Sequence, residues 1–192
     1  MLRIILIKPG TTDYDEQRRI TGTLDVPLNT QGLAEVQKMA LELQGYEIDH
    51  VYCSPCLSAW QTARMIAEPQ GAKVTRVPEL ANLNQGLWQG KLTDEVKQTQ
   101  PKVFRRWREH PETVCPPQGE MIEAALQRVH ATWEKIVRRH KEGTIGVAMP
   151  APLFELARSD WKHEALRPPH LTPVPGGCWE WIDANEIKLV AS

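Results

Sequence analysis

The sequence predicts an α/β fold of three layers, α/β/α, around a mostly parallel central sheet. Three observations point to it. Leu2 to Ile7 is an apolar run broken only by Arg3, as in a strand covered on both faces. From Gly32 onward, segments with apolar residues three and four apart alternate with short β-rich runs, the rhythm of strands joined by crossover helices. Near the end, Cys178 to Ile182 and Ile187 to Val190 alternate well enough for a closing antiparallel hairpin.

The elements follow in order. The first strand ends at Lys8-Pro9-Gly10, where proline stops the ladder and glycine permits the turn. A polar loop leads to Pro27 and a helix from Gly32 to Gly45, with Leu33, Val36, Met39, Ala40 and Leu43 on its apolar face and Thr30 or Asn29 as cap. Asp49 to Ser54 is a strand, Cys56 to Ala67 a helix with Ala59, Ala63, Ile66 and Ala67 on one side, and Ala72 to Val77 the next strand. Residues 78–119 are less regular and are expected to form a partly helical, inserted lid over the strand ends. Gly119 to Lys141 is a long helix, with Ile122, Leu126, Val129, Trp133, Ile136 and Val137 at helical spacing. Its basic end, Arg138 to Lys141, suits the negative pole of a helix dipole better than a nucleic-acid patch. Gly143 to Met149 is a further strand, and a helix starts after the prolines at 150 and 152 and runs to Ser159.

Composition narrows the function classes. The 192 residues suit one domain, 1–192, and are 41% hydrophobic and 24% charged, as in an ordinary globular protein. A net charge of -1 gives no global field for nucleic acid, and no stretch is apolar enough to span a membrane. The short apolar start is strand one, with no separate signal-peptide pattern, so a cytoplasmic protein is expected. Cys53-Ser-Pro-Cys56 has redox or half-zinc-site spacing, but Cys115 and Cys178 are isolated and complete no four-thiolate set. The pair reads as small buried thiols at a strand end. No metal and no cofactor is expected. In an open α/β sheet, ligands sit at the carboxyl ends of the strands, so chemistry belongs after Ile7.

The loop Asp15 to Gly32, with Arg19, Thr21-Gly22, Pro27-Leu28 and Gly32, and the later Gln61-Thr62-Ala63 and Gly86-Leu87-Trp88, resemble the motif frame of the histidine phosphatase superfamily, the phosphoglycerate-mutase-like fold. The resemblance covers nearly the whole chain. It implies a neutral imidazole attacking phosphorus, cationic side chains on the phosphoryl oxygens, a second histidine and a proton-donating acid. The residues at those positions differ. The family's Arg-His-Gly is Lys8-Pro9-Gly10, its loop asparagine is Asp15, its second-motif arginine is Ser58, its acid is Asn82 and its second histidine is Met149. Only Arg19 is retained among the reacting positions, and no histidine precedes His50.

The resemblance therefore implies a catalytically inactive histidine-phosphatase-like protein with a binding, regulatory or assembly role. Two alternatives stay open. One is an enzyme that uses the same cleft with other residues, drawn from Lys8, Asp15, Arg19, Cys53, Cys56 and Glu120. The other is a retained phosphatase or mutase. Lys8, Asp15, Arg19, Thr21 and Gly22 are the candidates for a residual, weak ligand site. A protein partner, including a second copy, is the expected kind of partner. Of the seven tryptophans, Trp60, Trp88 and Trp133 are expected to be buried. Trp107, Trp161, Trp179 and Trp181 are less constrained, and the pair in the last hairpin marks the first choice for self-association.

Overall fold

The structure, a computed structural model, describes residues 1–164 and 176–182. Strands β1 (Leu2–Lys8), β2 (Ile48–Cys53), β3 (Lys73–Arg76), β4 (Gly143–Ala148) and β5 (Cys178–Ile182) form one sheet in the order β3-β2-β4-β1-β5. The pairs β1·β4, β2·β4 and β2·β3 are parallel, and β5 runs antiparallel to β1. The closing antiparallel strand therefore forms, while its expected partner at 187–190 lies outside the described residues. Strand β1 is interior to the sheet, as its apolar run requires.

The side-chain alternation of β1 divides the core. Ile4 and Leu6 point to one face, where they meet helices α6 (Ile122–Arg139) and α7 (Leu153–Trp161). Ile5 and Ile7 point to the other and meet α2 (Thr30–Leu43) and α3 (Leu57–Ala67). This is the three-layer arrangement read from the sequence, and a period of two in one strand suffices to explain it. Helix α2 starts two residues earlier than expected. The Asn29 side chain caps it by accepting from the Gly32 amide at 2.9 Å. Leu33 does not join the core: it lies 43% exposed, on the outer side of that first turn.

The stretch 78–119 carries 3-10 turns and two short helices, α4 (Thr93–Thr99) and α5 (Pro101–Glu109). It has its own apolar cluster: Trp88, Val96, Phe104, Trp107 and Val114, joined by Ile20 from the loop after β1. That loop opens with a single helical turn, α1 (Asp13–Glu16). Three backbone bonds, from Gly90 to Ile20, from Ile20 to Lys91 and from Thr93 to Arg18, fasten the stretch to the loop. Trp88, Trp107, Trp133 and Trp161 are buried. Trp60 is half-buried, with the Arg64 and Arg76 guanidinium groups over its ring at 5.0 and 4.3 Å. Trp179 and Trp181 share a face of β5 and pack edge-on against Tyr46, and Trp181 is 38% exposed.

No helix among the described residues is long and apolar enough to cross a membrane.

Candidate functional site

The parallel register brings three strand ends to one edge. Ile7 pairs with Ala148, and Ala148 with Cys53, so Lys8-Pro9, Met149 and Ser54 follow side by side. The first turn of α3 places Ser58 beside them, and the loop that opens the stretch 78–119 places Asn82. This is where the fold puts chemistry.

The sequence-predicted site residues Pro9, Met149, Ser58 and Asn82 are each absorbed into the scaffold. Pro9 is buried, and its carbonyl accepts a 2.9 Å bond from the Gly177 amide at the start of β5. Met149 is fully buried in the apolar cluster that holds Ile4, Leu6 and Leu153. Ser58 is buried, with its hydroxyl 3.6 Å from the Cys56 sulfur.

Asn82 is 2% exposed, and its amide is fully engaged. Its Nδ2 donates to the Gly22 carbonyl at 3.0 Å and to the Ala151 carbonyl at 2.6 Å. Its Oδ1 accepts from the Leu83 amide at 2.9 Å and the Leu153 amide at 3.2 Å. Two donors and two acceptors exhaust what the side chain offers. A carboxylate here would face two carbonyl oxygens with no hydrogen to give them.

Lys8 is paired. Its Nζ lies 3.0 Å from Glu155 Oε1 in the first turns of α7, with the two side chains 13% and 15% exposed. The ammonium that would face a phosphoryl group thus faces a carboxylate of its own chain. The Cys178 thiol neighbours the pair; burial pushes it up, Lys8 opposes, and Glu155 and Glu180 add to the rise.

The remaining loop candidates do not present free charge to the strand ends. Asp15 closes a capping box with Thr12, accepting from its amide at 2.8 Å and its hydroxyl at 2.7 Å. Arg19 donates to the Gly90 carbonyl at 2.7 Å and to Gln17 at 2.8 Å, so it ties the loop to the lid. Thr21 is half-buried. Gly22 has φ +54° and approaches Gln89 so closely that a Cβ would lie 2.2 Å from its Oε1. Gly10 meets Gly32 backbone to backbone, where a Cβ would lie 2.4 Å from the Gly32 oxygen. Glu120 is held by Arg128 through two bonds, 2.8 and 3.0 Å, and accepts the Asn84 amide. Cys53 is buried, and burial pushes its thiol up to about 12, so it is no thiolate at neutral pH.

Two participants were not visible in the sequence. Glu155 stands 147 residues from its partner, and only its place in the first turns of the helix after β4 could have marked it. The role of Asn82 was hidden because three of its four partners, Gly22, Ala151 and Leu153, lie far from it along the chain.

Comparison with known proteins gives a consistent frame. The profile of the histidine phosphatase superfamily (branch 1) matches residues 4–187. Phosphoserine phosphatase 1 of Hydrogenobacter thermophilus is 31% identical over 147 residues, covering 77% of this chain and 70% of the relative. The adenosylcobalamin/alpha-ribazole phosphatase of Escherichia coli is 24% identical, covering 96% and 91%. Among solved structures, Bacillus stearothermophilus YhfR superposes with a TM-score of 0.87 at 24% identity, covering 95% and 91%. Mycobacterial glucosyl-3-phosphoglycerate phosphatase Rv2419c, in complex with VO3, superposes with 0.84 at 22% identity, covering 93% and 91%. These structures establish the fold.

Proposed function

The chain belongs to the histidine phosphatase superfamily, and we propose that it is a catalytically inactive member that works by binding or assembly. One observation carries this: the two polar side chains Lys8 and Asn82, which stand where the family frame places reacting groups, are engaged inside the protein. Asn82 makes four internal bonds, and Lys8 is matched by Glu155. Phosphoryl transfer through a phosphohistidine needs an imidazole at the end of β1, and the Pro9 ring has no free lone pair there. Met149 carries no charge, Ser58 cannot clamp a transferred group, and Asn82 cannot donate a proton to a leaving group.

The second reading is a retained phosphatase, favoured by the names of the relatives. The two readings part in a turnover assay. The purified protein is incubated with phosphoserine, phosphoglycerates and a panel of other phosphate esters, and the expected result is no phosphate release above background. Release that co-elutes with the folded protein and disappears in Lys8→Met would overturn the proposal. Inorganic phosphate should bind in the millimolar range or weaker, roughly -4 kcal/mol or less favourable. Micromolar binding by calorimetry would equally contradict it.

A further inference from the structure

We propose that the outer face of α5, with the end of α4, is a docking surface for an acidic polypeptide segment of a partner protein. The inference rests on the binding role above and names the chemistry of the partner.

From Val96 to Arg108 the chain carries Lys97, Lys102, Arg105, Arg106 and Arg108 and not one acidic residue. All five side chains are exposed. Elsewhere, several surface cations come with an acid four residues away on the same helix: Lys38 with Glu42, Arg64 with Glu68, Lys91 with Glu95, and Arg138 with Glu134. That spacing neutralises a solvated helix face. On this face only Arg105 has an acid at that spacing, Glu109, and no ion pair joins those two. Arg108 lies 4.0 Å from the adjacent Glu109, and Arg106 donates to the Thr113 hydroxyl. Lys97, Lys102 and Arg105 have no salt-bridge partner among the described residues.

The face is also rigid. Phe104 and Trp107, on the inner side of α5, are locked in the cluster with Trp88, Val96 and Val114. Unpaired cations on a rigid helix lose little freedom on binding, and arginine forks match carboxylates two bonds at a time. With the whole chain at -1, this patch stands against an acidic remainder. It therefore steers a finite acidic partner and does not draw in a long polyanion.

Two other occupants fit less well. Single-stranded nucleic acid calls for exposed aromatic rings to stack on, and both rings of α5 are buried. A membrane surface calls for an apolar side to insert, and α5 exposes only Val103, at 41%.

The test uses the full chain and a fluorescein-labelled peptide of alternating glutamate and serine, read by anisotropy at about 0.15 M salt. Saturable binding is expected, weakened at least tenfold in Lys102→Gln/Arg105→Gln, in line with the loss of two steering charges. The control Lys38→Gln/Arg138→Gln, which removes the same charge from paired sites, should bind as the parent does. Both variants alter exposed side chains, and unchanged melting temperatures verify that they fold. Equal binding by parent and test variant overturns the proposal, as does equal weakening in the control. Tighter binding of an oligothymidylate or of anionic lipid vesicles than of the peptide overturns it in favour of that other partner. Turnover in the phosphate-ester panel would sink the inactive reading without touching this result, so the two can fail separately.

Discussion

The strand-end site and the stretch 78–119 treat charge in opposite ways. At the strand ends Lys8 is answered by Glu155, Asn82 by four backbone groups and Asp15 by Thr12, while the buried Ser54 hydroxyl has no hydrogen-bond partner among the described residues. On the lid, the cations of α5 are presented to water with few answers. In an enzyme of this architecture the strand ends are expected to hold the unmet charge, because they must meet a phosphoryl group. Here the strand-end Lys8 is paired internally, and the cations of α5 face water.

The largest expected effect comes from attacking the internal answers. Asn82→Ala removes a buried amide and leaves two carbonyls and two amides unpaired, each a loss of order 1–3 kcal/mol where water cannot enter. Allowing for relaxation, the protein should lose about 3 kcal/mol in denaturant unfolding. Asn82→Glu, the substitution that would restore the family acid, should cost as much, because the carboxylate opposes the Gly22 and Ala151 carbonyls. A neutral outcome in either variant would show that the network is not structural, and the contrast with the lid would collapse.

Next in size is the ion pair. Lys8→Met leaves Glu155 charged and largely buried, and Glu155→Leu does the same to Lys8, so each should cost about 2–3 kcal/mol. The double variant Lys8→Met/Glu155→Leu should cost clearly less than the sum of the two. Additive losses would mean that the two groups act independently, against the 3.0 Å contact.

A milder effect concerns pH, and it tests a third region. His50 lies flat on Tyr52 with ring centres 4.2 Å apart, donates to or accepts from Thr75, and has the His140 ring edge-on at 5.7 Å. Tyr52 in turn bonds His140 at 2.8 Å, joining the β2–β3 edge to the end of α6. Burial, then His140, Lys73 and Arg139, hold the His50 pKa below its ordinary 6.5. The unfolded chain therefore takes up the proton more readily than the folded one. The stabilisation is complete above pH 6.5 and declines as pH falls from there through the folded-state value. The melting temperature should drop over that window, and His50→Gln should flatten the drop. An unchanged profile in His50→Gln would assign the acid sensitivity to other groups.

The smallest expectation concerns thiols. Iodoacetamide at neutral pH should label exposed Cys115 and leave buried Cys53 untouched in the native protein.

Local patterns made most of the fold legible before any coordinates. The strand and helix order follows from periods of two and of three to four, and β1 was identifiable as an interior strand from an apolar run broken only by Arg3. Leu33 shows where the method fails: at the first turn of a helix, an apolar residue can satisfy the spacing and still face outward. Pro9, Ser58, Asn82 and Met149 are matched to the family's reacting positions by the glycines and the Gln-Thr-Ala frame around them. What fills the space around them was not legible. Glu155 pairs with a lysine at the far end of the chain, and Asn82 bonds backbone groups whose positions only the tertiary fold decides. The separate cluster under the lid was equally invisible, since Ile20 and Trp88 meet only after two loops cross.

The strand order has a consequence for how the chain is made. Strand β1 leaves the ribosome before the other four strands, yet both of its neighbours, β4 and β5, are the last two to follow. Its apolar run of Ile4 to Ile7 must therefore stay unpaired until Gly143 and then Cys178 have emerged. Helices α2 and α3 can cover one of its faces meanwhile, but its backbone has no ladder to join. Contacts of such long sequence separation close slowly, and an exposed strand edge of this kind is the part of a nascent chain that attracts chaperones or mispairs with a copy of itself.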